Sequence, residues 1–166
     1  MENEKVVQHN MGKGILIALA GTVIGFAVWL AVIALTGVGL GGAVGGGLAA
    51  VFGMLVATAY VKGSGKPGAV GIIVVALFTL AATVALVFFG AVAIIHRELA
   101  AIGVSVSISE ALEFTLAGLE FDDNLFSAFL QDLFISAGIS VVASIVTVVG
   151  AGKKKAQEVT TGATEQ

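Results

Sequence analysis

The most regular feature of the sequence is a set of three long apolar stretches that contain no charged side chain. They extend from Lys13 to Lys62, from Lys66 to Arg97 and from Asp132 to Lys153. A helix needs about 20 apolar residues to cross the roughly 30 Å hydrocarbon core of a bilayer. The first stretch is long enough for two such helices and each of the others for one, so the pattern predicts four transmembrane spans.

Turn signals set the limits of these spans. The segment "TGVGLGG" (36–42) divides the first stretch, and "KGSGKPG" (62–68), which holds the only proline, separates the second span from the third. Glycine and proline at these positions favour turns. We therefore place the spans at residues 14–35, 41–61, 70–95 and 133–150. The remaining residues are a tail (1–13), a loop (96–131) and a polar tail (151–166) that we predict to be disordered.

The composition supports a membrane location. Apolar residues make up 58% of the chain and charged residues 11%, against about 25% charged residues in an ordinary soluble domain. The mean hydropathy is +1.08. A soluble chain of this length cannot bury so much apolar surface. The predicted fold class is an all-α membrane protein, a bundle of four transmembrane helices.

The distribution of basic residues predicts the orientation. All the lysines lie in the two tails and in the connection between spans two and three, whereas Arg97 alone lies in the 96–131 loop. Cytoplasmic segments of membrane proteins carry the excess of Lys and Arg. We therefore expect both termini in the cytoplasm and the 96–131 loop outside.

The exterior loop is acidic and is predicted to contain one short amphipathic helix. In "SISEALEFTLAGLEF", Ser107 and Glu110 have the spacing of a capping box. One helical face would carry the acids Glu110, Glu113 and Glu120, and another Leu112, Leu116 and Leu119. Such a helix could lie flat on the outer membrane surface. The following "FDDN" offers a cap for the helix that enters span four.

Small residues recur at helical spacing in the first two spans. Span one has the pair Gly21 and Gly25, and span two has a row with a period of four: Gly41, Gly45, Ala49, Gly53 and Ala57. Small residues at this spacing let membrane helices approach closely. The pattern is typical of helix packing, either within one chain or between copies.

Polar residues in span four form a second row, because Asp132 is followed by Ser136, Ser140 and Ser144. These residues, together with His96 and Glu98 at the end of span three, are candidates for a polar path for ions or protons. Serine also serves close helix packing, bonding its own backbone or a neighbouring helix. Asp132 is expected near the outer boundary of the membrane, where a carboxylate costs far less than at the midplane.

Several chemistries have no sequence signal. The chain contains no phosphate-binding loop, no H-E-x-x-H zinc motif and no G-x-S-x-G nucleophile. It has no cysteine, and therefore no disulfide and no thiolate metal site. The net charge is −3, and no basic patch precedes the last lysines, which argues against nucleic acid as a partner. We expect no enzymatic activity, no cofactor and no bound metal.

Three segments carry a family resemblance: "GTVIGFAVW" in span one, "ATAYVKGSGKPGAVG" after the glycine-rich second span, and "FSAFLQDLFISAG" at the start of span four. With them, residues 14–150 resemble a family of small four-span membrane proteins of Gram-positive bacteria. The resemblance implies four helices in a bacterial cytoplasmic membrane. It implies no catalytic residue.

Two functions remain compatible with the sequence. The first is a non-catalytic membrane component that packs with copies of itself or with another membrane protein, as the small residues suggest. The second is a small oligomeric channel or transporter that favours cations, as Asp132, the serine row and the acidic loop suggest. Both make the lipid bilayer a direct partner of the chain.

Overall fold

A computed structural model describes residues 10–36, 42–64 and 68–162. Within these ranges the chain forms five α-helices: α1 (Met11–Thr36), α2 (Gly42–Ser64), α3 (Ala69–Ala101), α4 (Ile108–Phe121) and α5 (Asp123–Gly162). The helices α1, α2, α3 and α5 contain segments long and apolar enough to cross a membrane. The predicted all-α fold with four spans and one short additional helix is therefore confirmed.

The four long helices form a ring in which α1 lies between α2 and α3, and α5 lies between the same two helices on the opposite side. Among the described residues α1 and α5 do not contact each other, and α2 and α3 meet only along a narrow diagonal. The helix α2 is the most buried of the four. The glycine-rich second span thus forms a central wall of the bundle.

The bundle core contains large side chains from α1, α2 and α3. Trp29 packs edge-on against Phe52 with ring centroids 6.1 Å apart, and Tyr60, Val75 and Leu86 are fully buried in the same core cluster. The outward faces are apolar as well; Leu16 is 69% exposed and Val146 65% exposed. Apolar side chains on both the core and the outer faces are expected of helices surrounded by lipid.

The end of α3 differs from the predicted span boundary at residue 95. The helix continues to Ala101 and ends in a Schellman motif, in which the N–H of Val104 donates to the carbonyl of Leu99 and the N–H of Gly103 to that of Ala100. Gly103 has a φ of 83°, which only glycine adopts without steric cost. Charged residues at 97 and 98 mark the end of the apolar stretch, not the end of the helix.

The C-terminal tail also differs from prediction. We expected disorder from residue 151, whereas α5 continues to Gly162. The segment "KKKAQE" consists of residues that readily form helix, and it follows an existing helix, so no new nucleation is needed. Polarity identified the end of the apolar span correctly but did not predict the end of the helix. Residues 163–166, part of that tail prediction, lie outside the described residues, as do residues 1–9 of the N-terminal tail.

Candidate functional sites

The short helix α4 begins where its sequence predicts. The Ser107 hydroxyl oxygen accepts from the Glu110 N–H at 3.3 Å, and a Glu110 carboxylate oxygen accepts from the Ser107 N–H at 2.6 Å and from its hydroxyl at 2.8 Å. The predicted capping box is confirmed. The two hydrogen bonds from Ser107 stabilise the charged carboxylate and lower the pKa of Glu110 below its ordinary value.

The helix α4 packs on α3 and α5 through small residues. Ala111 and Thr115 are buried, while Leu112 and Leu119 are half-buried and Leu116 is exposed. The glutamates of α4 are exposed on the opposite side. The connection to α5 is capped as expected, because a side-chain oxygen of Asp122 accepts from the N–H groups of Asn124 at 2.9 Å and Leu125 at 3.2 Å.

The serines of α5 lie in the interior of the bundle. Ser136, Ser140 and Ser144 are all 0% exposed. The Ser140 hydroxyl oxygen lies 2.9 Å from that of Thr83 on α3 and 3.2 Å from the carbonyl of Ala137. The Ser144 hydroxyl donates to the carbonyl of Val141 at 2.8 Å. Within the described residues the hydroxyls of Ser140 and Ser144 thus bond protein atoms at helix contacts.

Thr83 shows how such a contact is organised. Its hydroxyl donates to the carbonyl of Thr79 one turn earlier at 2.8 Å, which leaves its oxygen free to accept from Ser140. The buried hydroxyls of Thr79 and Ser136 have no hydrogen-bond partner within the described part of the chain. The spacing of Thr79 and Thr83 resembles that of the serines, but the sequence did not indicate that α3 and α5 would pair Thr83 with Ser140.

Glycine permits a very close contact at the same level of the bundle. A Cβ atom added to Gly53 of α2 would clash with the Ser140 carbonyl oxygen and lie 2.9 Å from its carbonyl carbon. Real Cβ atoms essentially never come so near to backbone, so only glycine fits here. Gly45, Ala49 and Ala57 of the predicted row are buried too, whereas Gly41 lies outside the described residues.

The contact between α1 and α2 uses glycines in the same way. A Cβ at Gly21 would lie 2.9 Å from the Cβ of Ala59, and a Cβ at Gly25 would lie 2.9 Å from the ring of Phe52. Near the other end of the two helices, Gly63 lies against the backbone of Lys13 and Gly14. The contact of Gly63 was not predicted, because a glycine within "KGSGKPG" is expected in a turn and not in a helix contact.

Asp132 lines a partly open cavity of about 130 Å³ between α3, α4 and α5. Most of the wall is apolar and includes Val87, Ile95, Leu119 and Phe129. Asp132 is half-buried and is the only charged residue among the described residues that line the cavity. Thr115, which the sequence analysis missed, contributes a hydroxyl that donates to the carbonyl of Ala111 at 2.8 Å.

His96 and Arg97 do not line the cavity of Asp132, although Ile95 directly before them does. His96 and Arg97 line a separate groove of about 440 Å³ beside Leu30, Phe89 and Ile108, and Glu98 is exposed. The candidate residues of the polar path therefore lie in different places: His96 in this groove, Asp132 in the cavity, and the three serines buried in the bundle. No group of three or more His, Asp or Glu residues suited to a metal ion occurs in the described ranges.

A third groove, of about 410 Å³, opens between α2 and α5 on the outer surface of the bundle. Its lining is apolar and contains the small residues Ala50, Gly138 and Ala143 beside the larger Val142 and Val146. A Cβ atom at Gly138 would meet no other atom within 4 Å. Gly138 thus differs from Gly53, because its open side faces away from the chain.

Comparison with known proteins adds no relative to this picture: no family model, no curated protein and no solved structure matches the chain. The described chain is all-helical and has four apolar helices of membrane-spanning length, as expected of a multi-pass membrane protein.

Proposed function

We propose that this protein is a non-catalytic multi-pass component of a bacterial cytoplasmic membrane that functions by associating with a second copy of itself. The observation that carries the proposal is the α2–α5 groove. It combines hollows at Ala50, Gly138 and Ala143 with a ridge at Val142 and Val146, which are 61% and 65% exposed. Helices associate in lipid through close packing of this kind, without a hydrophobic driving force.

A second copy suits this groove because the same face carries both ridge and hollow. In a two-fold dimer each surface meets itself, so a self-complementary patch is required. The valine ridge of one copy would fill the small-residue hollow of the other. None of the described residues that line the groove is charged, which fits a partner that is itself a membrane helix. The glycines at 21, 25 and 53 already contact neighbours within the chain. We therefore favour this groove, whose small residues are open to the outside, as the surface that meets the second copy.

Cysteine cross-linking in native membranes tests the proposal directly, because the natural chain has no cysteine. Val142→Cys introduces a thiol in the groove, and Leu77→Cys introduces one on the outer face of α3 with a similar exposure of 62%. We expect a disulfide-linked dimer from Val142→Cys and only monomer from Leu77→Cys. Equal cross-linking at both positions would indicate random collision and would contradict the proposal, and a cross-link to a different protein would replace self-association by an accessory role.

The alternative function, an oligomeric cation-favouring channel, has less support. Its candidate lining included Ser136, Ser140 and Ser144, which are fully buried in the bundle. A water-filled path along these serines would require separation of α3 from α5 and loss of the contact between Thr83 and Ser140. We further propose that the chain has no enzymatic activity and that both termini are cytoplasmic, a topology supported by the distribution of lysines.

A further inference from the structure

The cavity beside Asp132 has the composition of a binding site for a small ligand. Its volume of about 130 Å³ is close to that of a roughly 150 Å³ engineered apolar cavity that binds benzene. The wall is formed by aliphatic residues of three different helices together with Phe129. It therefore has room for one aromatic ring or an aliphatic group of similar size.

Two polar side chains interrupt this apolar wall. Within the described part of the chain, the carboxylate of Asp132 is the only charge in the lining, and the hydroxyl of Thr115, which is 1% exposed, is the other polar side chain. Arg97 and His96 line a different groove and do not contribute to this cavity. A half-buried carboxylate beside apolar walls favours a cationic partner, since such a partner offsets the cost of removing the charge from water.

The lining also limits which cation would fit. A calcium ion takes six to eight oxygen ligands, several of them carboxylates, whereas among the described residues this cavity offers side-chain oxygens from Asp132 and Thr115 alone. An organic ammonium ion needs only one carboxylate for its charge and can place its apolar part against aliphatic and aromatic walls. Phe129 also provides the kind of ring with which organic cations interact favourably.

We propose that the cavity between α3, α4 and α5 binds a small organic cation, with the ammonium group at Asp132 and an apolar body of about one aromatic ring among Val87, Ile95, Leu119 and Phe129. This site is independent of the α2–α5 groove, so it neither requires nor follows from self-association.

The test is a direct binding measurement with benzylammonium and its neutral analogue benzyl alcohol, which have nearly the same size. Calorimetric titration of the purified protein in nanodiscs, with empty nanodiscs as the blank, gives both affinities. We expect saturable binding of benzylammonium, about tenfold tighter than benzyl alcohol, as expected for loss of one favourable charge contact. Absence of saturable binding, or equal affinity for both ligands, would overturn the proposal.

Three variants assign the binding to the cavity. Asp132→Asn should abolish the preference for the cation while retaining the apolar cavity. Ala91→Leu, which adds bulk at the cavity wall, should weaken the binding of both ligands. Glu113→Gln removes an exposed charge of α4 outside the cavity lining and should change neither affinity. An unchanged preference in Asp132→Asn, or equal displacement by sodium at the same concentration, would show that the carboxylate does not form an organic cation site.

Discussion

Two contacts of the same helix, α5, show opposite kinds of packing. At Ser140, the backbones of α2 and α5 come so close that Gly53 has no space for a Cβ atom, and Thr83 of α3 bonds the Ser140 hydroxyl at 2.9 Å. Two turns earlier, at Asp132, the same helix separates from α3 and α4 and leaves a cavity of about 130 Å³. One contact is closed by glycine and hydroxyls, and the other is kept open by branched and aromatic side chains.

The difference indicates how a membrane bundle can be both stable and capable of binding. Lipid is as apolar as the helix surfaces, so helices hold together by close contacts and by hydrogen bonds between them. The closed contact at Gly53 supplies both and leaves no room for a ligand. The open contact contributes less packing and retains a carboxylate that cannot easily be placed elsewhere in the membrane.

The largest expected effect comes from closing the space at Gly53. Gly53→Ala should destabilise the protein by about 1–3 kcal/mol, the usual cost of overpacking, because its Cβ would meet the backbone of Ser140. The change in stability is measured by heating the protein in mild detergent, or by adding a denaturing detergent to it. The contact between α2 and α5 should loosen first.

Gly47 provides the matched control on the same helix. A Cβ at Gly47 meets nothing within 4 Å, so Gly47→Ala should leave stability unchanged or raise it by up to about 1 kcal/mol through higher helix propensity. Of the two Gly→Ala changes, only Gly53→Ala is thus expected to lower stability. Equal effects at positions 47 and 53 would mean that helix propensity, not contact with Ser140, controls stability at both.

A smaller effect is expected from the hydrogen bond at the closed contact. A double-mutant cycle with Ser140→Ala and Thr83→Val should give a coupling energy of about 0.6 kcal/mol and at most about 1.7 kcal/mol, the range measured for bonds between membrane helices. Unfolding of the four proteins in the same detergent provides the cycle. Strictly additive effects would show that the 2.9 Å approach contributes no stability.

Ser136 serves as the reference within the same row. Its hydroxyl is buried without a partner in the described ranges, so Ser136→Ala should be neutral or slightly stabilising. A loss for Ser136→Ala as large as that for Ser140→Ala would require a partner for Ser136 that the structure does not contain.

An effect confined to one helix is expected in the cap of α4. Ser107→Ala should lower the local stability of α4 by about 1 kcal/mol, visible as faster amide hydrogen exchange in Ile108–Phe121. The rest of the bundle should exchange as in the natural protein. Faster exchange throughout α3 and α5 would contradict the view that α4 is a separately stabilised unit.

The cap also predicts a pH dependence with a definite sign. The folded-state pKa of Glu110 is lowered by the two hydrogen bonds from Ser107. The ionised carboxylate therefore makes its full contribution to the stability of α4 at neutral pH, above the ordinary glutamate pKa of about 4.3. This stabilisation is lost as the pH falls through the lowered folded-state pKa. Glu110→Gln should remove this dependence from α4, whereas Glu113→Gln, an exposed change on the same helix, should preserve it.

The sequence predicted those parts of the fold that depend on local chemistry. Charge-free stretches located the four spans, and the Ser107 and Glu110 spacing located the start of α4. The ring order of the helices was not predictable, because α2 is apolar or small on every side and its pattern does not identify which neighbour each face meets. Thr115 and Phe129 were missed for the same reason, since they form a site only after α3, α4 and α5 pack together.

The same limit applies to the glycines. Their spacing indicated close helix contact, but Gly53 faces Ser140 and Gly138 faces outward, and nothing in a four-residue period distinguishes these environments. The helical ends at Ala101 and Gly162 were also beyond the predicted spans, since a helix that has left the apolar region can continue through polar residues.

Native mass spectrometry of the complex extracted from its own membranes in mild detergent tests whether the chain self-associates through the α2–α5 groove. We expect a homodimer for the natural protein and a folded monomer for Gly138→Leu, because the larger side chain would fill the hollow of the groove from a position whose Cβ meets no other described atom of the chain within 4 Å. A natural protein that is monomeric at every detergent concentration would contradict self-association, and a Gly138→Leu dimer as stable as the natural one would contradict the groove as its interface.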